Sequence, residues 1–137
     1  MTRINLVDPK VLTNQHLMAE YRELPRIFTA VKKLQDDGKF PCDVEIPESY
    51  VLGAGHMKFF YNKLHWLYLR YVDLYHELIN RNFSLDINIY ESVCKGVIPI
   101  YPSWWKDYSP TPEDIYLNMA RLAKRSKIDK VIEEINA

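Results

Sequence analysis

The opening residues, Met1-Thr2-Arg3, carry a reactive group that no side chain has to supply. Aminopeptidases normally remove an initiator methionine that precedes a residue as small as threonine, so a free α-amine on Thr2 is expected. An α-amino group of pKa about 7.7 to 8.0 is roughly one-tenth unprotonated at neutral pH, whereas a lysine near 10.4 is unprotonated to well under a thousandth. Imine formation needs the unprotonated amine, and the adjacent Arg3 lowers its pKa further by adding positive charge. Thr2 is thus a candidate nucleophile.

A second group lies on one helical face. At 100° per residue, Gln15, Arg22 and Arg26 fall in a narrow stripe with His16 and Glu23 along its edge. A cationic stripe with one carboxylate is either a solvated helix face or a surface that meets an anion. Near the other end, Arg121, Lys124 and Arg125 fall on one helical face, where they would neutralise successive phosphates. The whole chain balances 18 basic against 18 acidic side chains, which argues against a wholesale polyanion binder. The distribution is uneven, however, with Arg3, Arg22, Arg26, Lys32 and Lys33 early and Arg121, Lys124, Arg125, Lys127 and Lys130 late.

Other motifs allow two readings each. Gly53-Ala54-Gly55-His56 is either an anion-binding helix start or a tight turn that lets a helix pack closely. Trp104-Trp105-Lys106-Asp107-Tyr108 is either a stacking surface for nucleobases or a packed loop anchor. His65 and His76 stand at no metal-ligand spacing, and Cys42 and Cys94 lack a CxxC partner, so the thiols read as reduced and packed.

These groups need a scaffold. At 137 residues, 47% hydrophobic and 26% charged, the chain suits one domain over 1–137 and is far from disordered composition. No stretch approaches the roughly 20 apolar residues of a membrane span. The start lacks the apolar core of a secretory signal, so a cytoplasmic protein is expected.

The apolar spacing predicts about three main helices. Thr13 or Asn14 caps the first, which runs to about Gln35 with a kink at Pro25 and a stop at Asp36-Asp37-Gly38. After an extended connection through Pro41 and Pro47, a long aromatic helix is expected over Phe59, Phe60, Leu64, Leu67, Tyr68, Tyr71, Leu74, Tyr75, Leu78 and Ile79. Residues 83–110 read as irregular chain. Thr111-Pro112-Glu113-Asp114 then opens a third helix with a close variant of the capping box, burying Ile115, Met119 and Leu122. A helical period continues through Ile128, Val131, Ile132 and Ile135. No β-type alternation is present, so the fold class is all-α.

Three blocks carry a family resemblance. Thr2-Arg3-Ile4-Asn5-Leu6, then Gln15-His16-Leu17-Met18-Ala19-Glu20-Tyr21-Arg22-Glu23-Leu24-Pro25-Arg26, then Leu52-Gly53-Ala54-Gly55-His56 with Phe59-Phe60-Tyr61 and Lys63-Leu64 closely resemble the pyrimidine-dimer DNA glycosylases of the phage endonuclease V type. The likeness is gap-free over about the first half. It thins from Leu64 to about Phe83, is barely traceable to Tyr108, and returns in Ala120-Arg121-Leu122 with Arg125 one turn later.

The resemblance implies a compact all-α domain whose N-terminal segment inserts between helices, bringing the Thr2 amine beside Glu23. The implied reaction is attack of that amine on C1′ of the 5′ nucleotide of a cyclobutane pyrimidine dimer, with loss of the base, an imine to the opened sugar, and strand cleavage by β-elimination. Glu23 stabilises cationic character at the sugar and assists proton transfer at C2′. No metal or other cofactor is needed. Arg3, Arg22 and Arg26 are assigned to the minor groove and phosphates, Gln15 and His16 to the sugar and amine, and Arg121 and Arg125 to phosphates, where the charge map adds Lys124. The expected partner is double-stranded DNA with UV damage, met by a monomer in a viral or bacterial setting.

Two departures bear on lesion choice. The chain ends Lys130-Val131-Ile132-Glu133-Glu134-Ile135-Asn136-Ala137 where phage relatives carry an aromatic tail, and Tyr71 stands where they carry glutamine. A glycosylase for another damaged or modified base, or a helical DNA-binding protein without catalysis, are the alternatives.

Overall fold

Thr13 closes the first turn of α1 (Asn14–Glu23), its Oγ1 accepting the His16 N–H at 3.2 Å. The structure is a computed structural model, and it describes residues 2–123. The expected kink at Pro25 is a change of helix. Pro25 has no N–H to extend α1, and it takes the first position of α2 (Pro25–Asp36), where a missing donor costs nothing. Leu24 serves both helices, donating its N–H to the Glu20 carbonyl and accepting from Ile27 N–H. Gly38, at φ 81°, turns the chain away just after α2.

The long aromatic helix is two helices. Four residues, His56–Phe59, make α3, and α4 (Leu64–Asn80) starts after a break. The period ran through the break because Phe59, Phe60 and Leu64 are all buried. The interruption comes from a distant segment: the Asn62 carbonyl accepts the Lys106 N–H, and Lys63 pairs with Trp105 in an isolated antiparallel bridge. The Lys63 ammonium turns back to the Phe59 carbonyl at 2.8 Å and lies 3.9 Å from the Phe59 ring centroid. Burial, then Lys106, pulls that ammonium down to about 8.

Residues 83–110 hold a helix that the apolar spacing did not announce. Asp86 caps α5 (Ile87–Gly96) by accepting the Asn88 N–H. None of its residues is fully buried, and Ile87 and Ile89 point outward. Its inner face is Tyr90, Val93 and Cys94, a short i, i+3, i+4 set that was the available signal. The next helix, α6, covers 112–123. Its predicted cap is present, with Asp114 N–H donating to Thr111 Oγ1 at 3.1 Å and Thr111 N–H to the Asp114 carboxylate at 3.3 Å. Ile115 and Leu122 pack inward as expected, but Met119 is exposed and Asn118 is the fully buried residue of this face. The period expected through Ile135 lies outside the described residues.

Helix α4 is the centre of the core. Its Leu64, Leu67, Tyr71, Leu74 and Leu78 pack with Leu17 and Tyr21 of α1, Ile27, Phe28 and Val31 of α2, and Phe59 and Phe60. Tyr71 stacks on Tyr21 at 5.1 Å between ring centroids and 4° between planes. Trp104 is fully buried, and Tyr108 packs edge-on against Phe59 and Trp66. The Trp104–Tyr108 patch is therefore a packed anchor. Among the described residues the architecture is all-α, with no strand.

Candidate active site

The N-terminal segment runs through the molecule without a sheet to pair with, so side chains from other elements must satisfy its polar backbone. The Ile4 N–H donates to His56 Nε2 at 2.8 Å, and the Ile4 carbonyl accepts from the Tyr50 hydroxyl at 3.1 Å. Leu6 N–H donates to Asn118 Oδ1 at 2.7 Å, and the Val7 carbonyl accepts from Arg70. Apolar burial holds the same stretch, with Ile4 wholly enclosed and Thr2 also buried.

His56 settles the reading of Gly53-Ala54-Gly55-His56 as a turn. Gly53 and Gly55 take φ of 70° and 87°, which turns the chain so that the imidazole enters the core. Because Ile4 N–H is a donor, Nε2 must accept, so Nδ1 carries the proton and donates to the Val51 carbonyl at 2.7 Å. Burial is the main cause that pushes the imidazole pKa below its ordinary value, favouring the neutral ring this arrangement requires.

A buried polar cluster fixes Asn5. Its Nδ2 donates to Glu20 Oε1 at 2.8 Å, and its Oδ1 accepts from Asn118 Nδ2 at 2.8 Å and from the Arg121 guanidinium. Glu20 is gripped by Arg70, Nε to Oε2 at 2.7 Å and Nη2 to Oε1 at 3.0 Å. Sequence reasoning assigned no role to Asn5, Glu20, Arg70 and Asn118, and it singled out His56 only as part of the glycine motif. A signal existed for two of them: Glu20 lies one helical turn before Glu23, and Arg70 interrupts an apolar stripe between Leu67 and Leu74.

Above this cluster lies a cleft of about 270 Å³ lined by Arg3, Asn5, Gln15, His16, Ala19, Glu20, Glu23, Arg121 and Leu122. Half of the ten predicted site residues meet here: Arg3, Gln15, His16, Glu23 and Arg121. Arg22 and Arg26 stand exposed on the adjoining surface of α1 and α2 and do not line the cleft. Thr2 precedes Arg3 and does not line it either. Lys124 and Arg125 lie outside the described residues. Arg3 and Arg121 also share a second hollow with Leu52, Gly53, His56, Leu117 and Ala120.

The two cleft carboxylates differ. Glu20 is neutralised by Arg70, whereas Glu23 enters no ion pair among the described residues. Arg121 is partly enclosed, and burial lowers its pKa, with the positive charge of Arg3 adding to the effect. The cleft is therefore cationic at its mouth, with one uncommitted carboxylate inside.

The family model described as pyrimidine dimer DNA glycosylase matches residues 1–91, about two thirds of the chain. The chain belongs to the pyrimidine-dimer DNA glycosylase family. This glycosylase is a DNA-repair enzyme, a DNA glycosylase and AP lyase whose substrate is DNA bearing pyrimidine dimers. The match takes in α1 to α4, and so includes Arg3, Asn5, Gln15, His16, Glu20, Glu23, His56 and Arg70. The glycosylase's α6, which supplies Asn118 and Arg121, lies beyond it.

Proposed function

We propose that this glycosylase works through the α-amine of Thr2, freed by removal of Met1, with Glu23 as the acid–base group. The observation that supports this reading most is the division between the two cleft carboxylates: Glu20 is bound to Arg70 and Asn5, leaving Glu23 free to serve chemistry. Arg3 and Asn5 also bring the N-terminal segment to the same cleft as Glu23.

The amine attacks C1′ of the 5′ nucleotide of a cyclobutane pyrimidine dimer. The C1′–N bond breaks, and the departing base stays joined to its neighbour through the cyclobutane ring. Opening of the sugar gives an imine between Nα and C1′. Glu23 supports cationic character at C1′ during displacement and then takes a proton from C2′. Loss of that proton expels the 3′ phosphate by β-elimination, and hydrolysis of the imine restores the amine.

DNA is held by its phosphates. Arg3 and Arg121 at the mouth, and Arg22 and Arg26 on the outer surface, supply the positive charge, with Lys124 and Arg125 as further phosphate contacts chosen on the sequence alone. Gln15 and His16 meet the sugar. The enzyme acts as a monomer and needs no metal. A damaged, weakly stacked step lowers the cost of kinking the duplex and extruding a nucleotide, which contributes to selectivity.

Borohydride trapping tests the reading directly. A covalent adduct with a duplex carrying one cyclobutane thymine dimer, formed by protein whose intact mass shows loss of Met1, is the expected result. An adduct with an abasic duplex alone would move base specificity elsewhere. No adduct with either, or full activity with Met1 retained, would overturn the imine mechanism.

A further inference from the structure

Asn118 is completely enclosed and makes two hydrogen bonds of opposite sense to adjacent residues of one segment. Its Oδ1 accepts the Leu6 N–H at 2.7 Å, and its Nδ2 donates to Asn5 Oδ1 at 2.8 Å. Arg121, nearly one turn later on α6, donates to the same Asn5 oxygen. Helix α6 thus grips the N-terminal segment at Asn5 and Leu6, three and four residues from Thr2. Ile4, between Asn5 and the amine, is held separately by His56 and Tyr50.

An extended segment with no sheet partner has no ladder to set its register, and a one-residue slip moves every group along it by about 3.3 Å. A carboxamide carries an acceptor and a donor on two separate atoms of one planar group, and so meets the Leu6 N–H and the Asn5 oxygen at once. A carboxylate keeps the first bond and loses the second, and an aliphatic side chain loses both.

We infer that Asn118 is a positioning residue for the imine chemistry: through Asn5 and the Leu6 backbone it sets how far the N-terminal segment enters the cleft, and so where the Thr2 amine stands relative to Glu23. This inference rests on the Thr2 reading proposed above. It gives α6 a role besides phosphate binding, from a residue outside the stretch matched by the family. The anchors at Ile4 remain when Asn118 is replaced, so the segment loosens while the core stays closed.

The experiment compares the parent enzyme with Asn118→Leu and Asn118→Asp. Single-turnover borohydride trapping on an abasic duplex at saturating enzyme gives a rate constant and an amplitude. Binding to a duplex carrying a tetrahydrofuran abasic analogue, which forms no imine, gives Kd. A misplaced nucleophile lowers the rate constant by on the order of 10- to 100-fold, more in the Leu variant than in the Asp variant, with Kd within about threefold. A purely structural role would lower the amplitude and leave the rate constant of the folded fraction unchanged, which would overturn the inference. So would a weakened Kd with an unchanged saturated rate, the mark of a DNA contact. If Asn118→Leu fails to fold, Asn118→Asp carries the comparison. Failure of the parent enzyme to trap overturns the imine reading itself, whereas a trapping parent with equally fast variants overturns only the role of Asn118.

Discussion

Arg70 of α4 holds Glu20 of α1 through two parallel hydrogen bonds, at 2.7 and 3.0 Å, with 6% and 1% of the respective side chains exposed. A planar guanidinium meeting a carboxylate in this fork fixes orientation as well as charge. Glu20 lines the cleft and holds Asn5, so a buried ion pair forms part of the floor of the candidate active site.

Breaking that pair from one side leaves a charge without a partner in the core. Arg70→Met should lower the unfolding free energy by about 3–5 kcal/mol, measured by urea denaturation. Combining it with Glu20→Leu should recover part of the loss, because the stranded carboxylate is then gone. An Arg70→Met protein as stable as the parent would show that the pair contributes nothing.

Glu23 should behave in the opposite way. Glu23→Gln keeps the shape of the side chain and removes its proton-transfer capacity, so base release should fall by on the order of 10²- to 10⁴-fold. Thermal stability should be near the parent value, and binding to dimer-containing duplex should persist. Turnover at the parent rate would remove Glu23 from the mechanism.

The anchor at His56 carries a pH dependence. Burial lowers the folded-state pKa below that of the unfolded chain, so on acidification the unfolded chain takes up more protons than the folded one. The stabilisation is therefore complete above the unfolded value of about 6.5 and is lost as pH falls from there toward the folded-state value. Protonation also places a second donor opposite the Ile4 N–H. The groups facing the ring are the Ile4 N–H, the Val51 carbonyl and the rings of Tyr50 and Phe60, with Arg121, Arg3 and Glu20 acting at longer range. His56→Gln can still accept the Ile4 N–H and does not titrate. Its Tm should fall less than that of the parent between about pH 7 and pH 5; identical slopes would refute the assignment.

Arg22 and Arg26 are exposed and enter no ion pair among the described residues, which leaves them open to the phosphate contact proposed for them. Replacing either with alanine should weaken binding to any duplex and reduce the slope of log K against log salt by about 0.9. Unchanged affinity across the salt range would exclude the contact. Because these residues lie outside the cleft, the saturated rate of base release should barely move.

Local spacing along the chain accounts for one part of this architecture. The all-α class, an interruption at Pro25, a cap at the start of the first helix and the Thr111 cap follow from helical periodicity and from side chains that bond within three residues of themselves, whereas the stripe expected for Gln15, Arg22 and Arg26 is divided, because Arg26 belongs to α2 and only Gln15 of the three lines the cleft. Gln15, His16, Glu23 and Arg3 were named from residue type and family resemblance, and they do line one cleft with Arg121. Tertiary structure decided what depends on distant partners. The break before α4 comes from Lys106 and Trp105, some 40 residues away in the chain. Helix α5 escaped notice because its inner face is only three half-buried residues, too short a stripe for periodicity to reveal. The Asn5–Glu20–Arg70–Asn118 cluster joins four separate elements, and no spacing rule relates residues that meet only after the core has closed. The same closure distinguishes Glu20 from Glu23: one turn apart on one helix, the first is bound to Arg70 and the second is left open to the cleft.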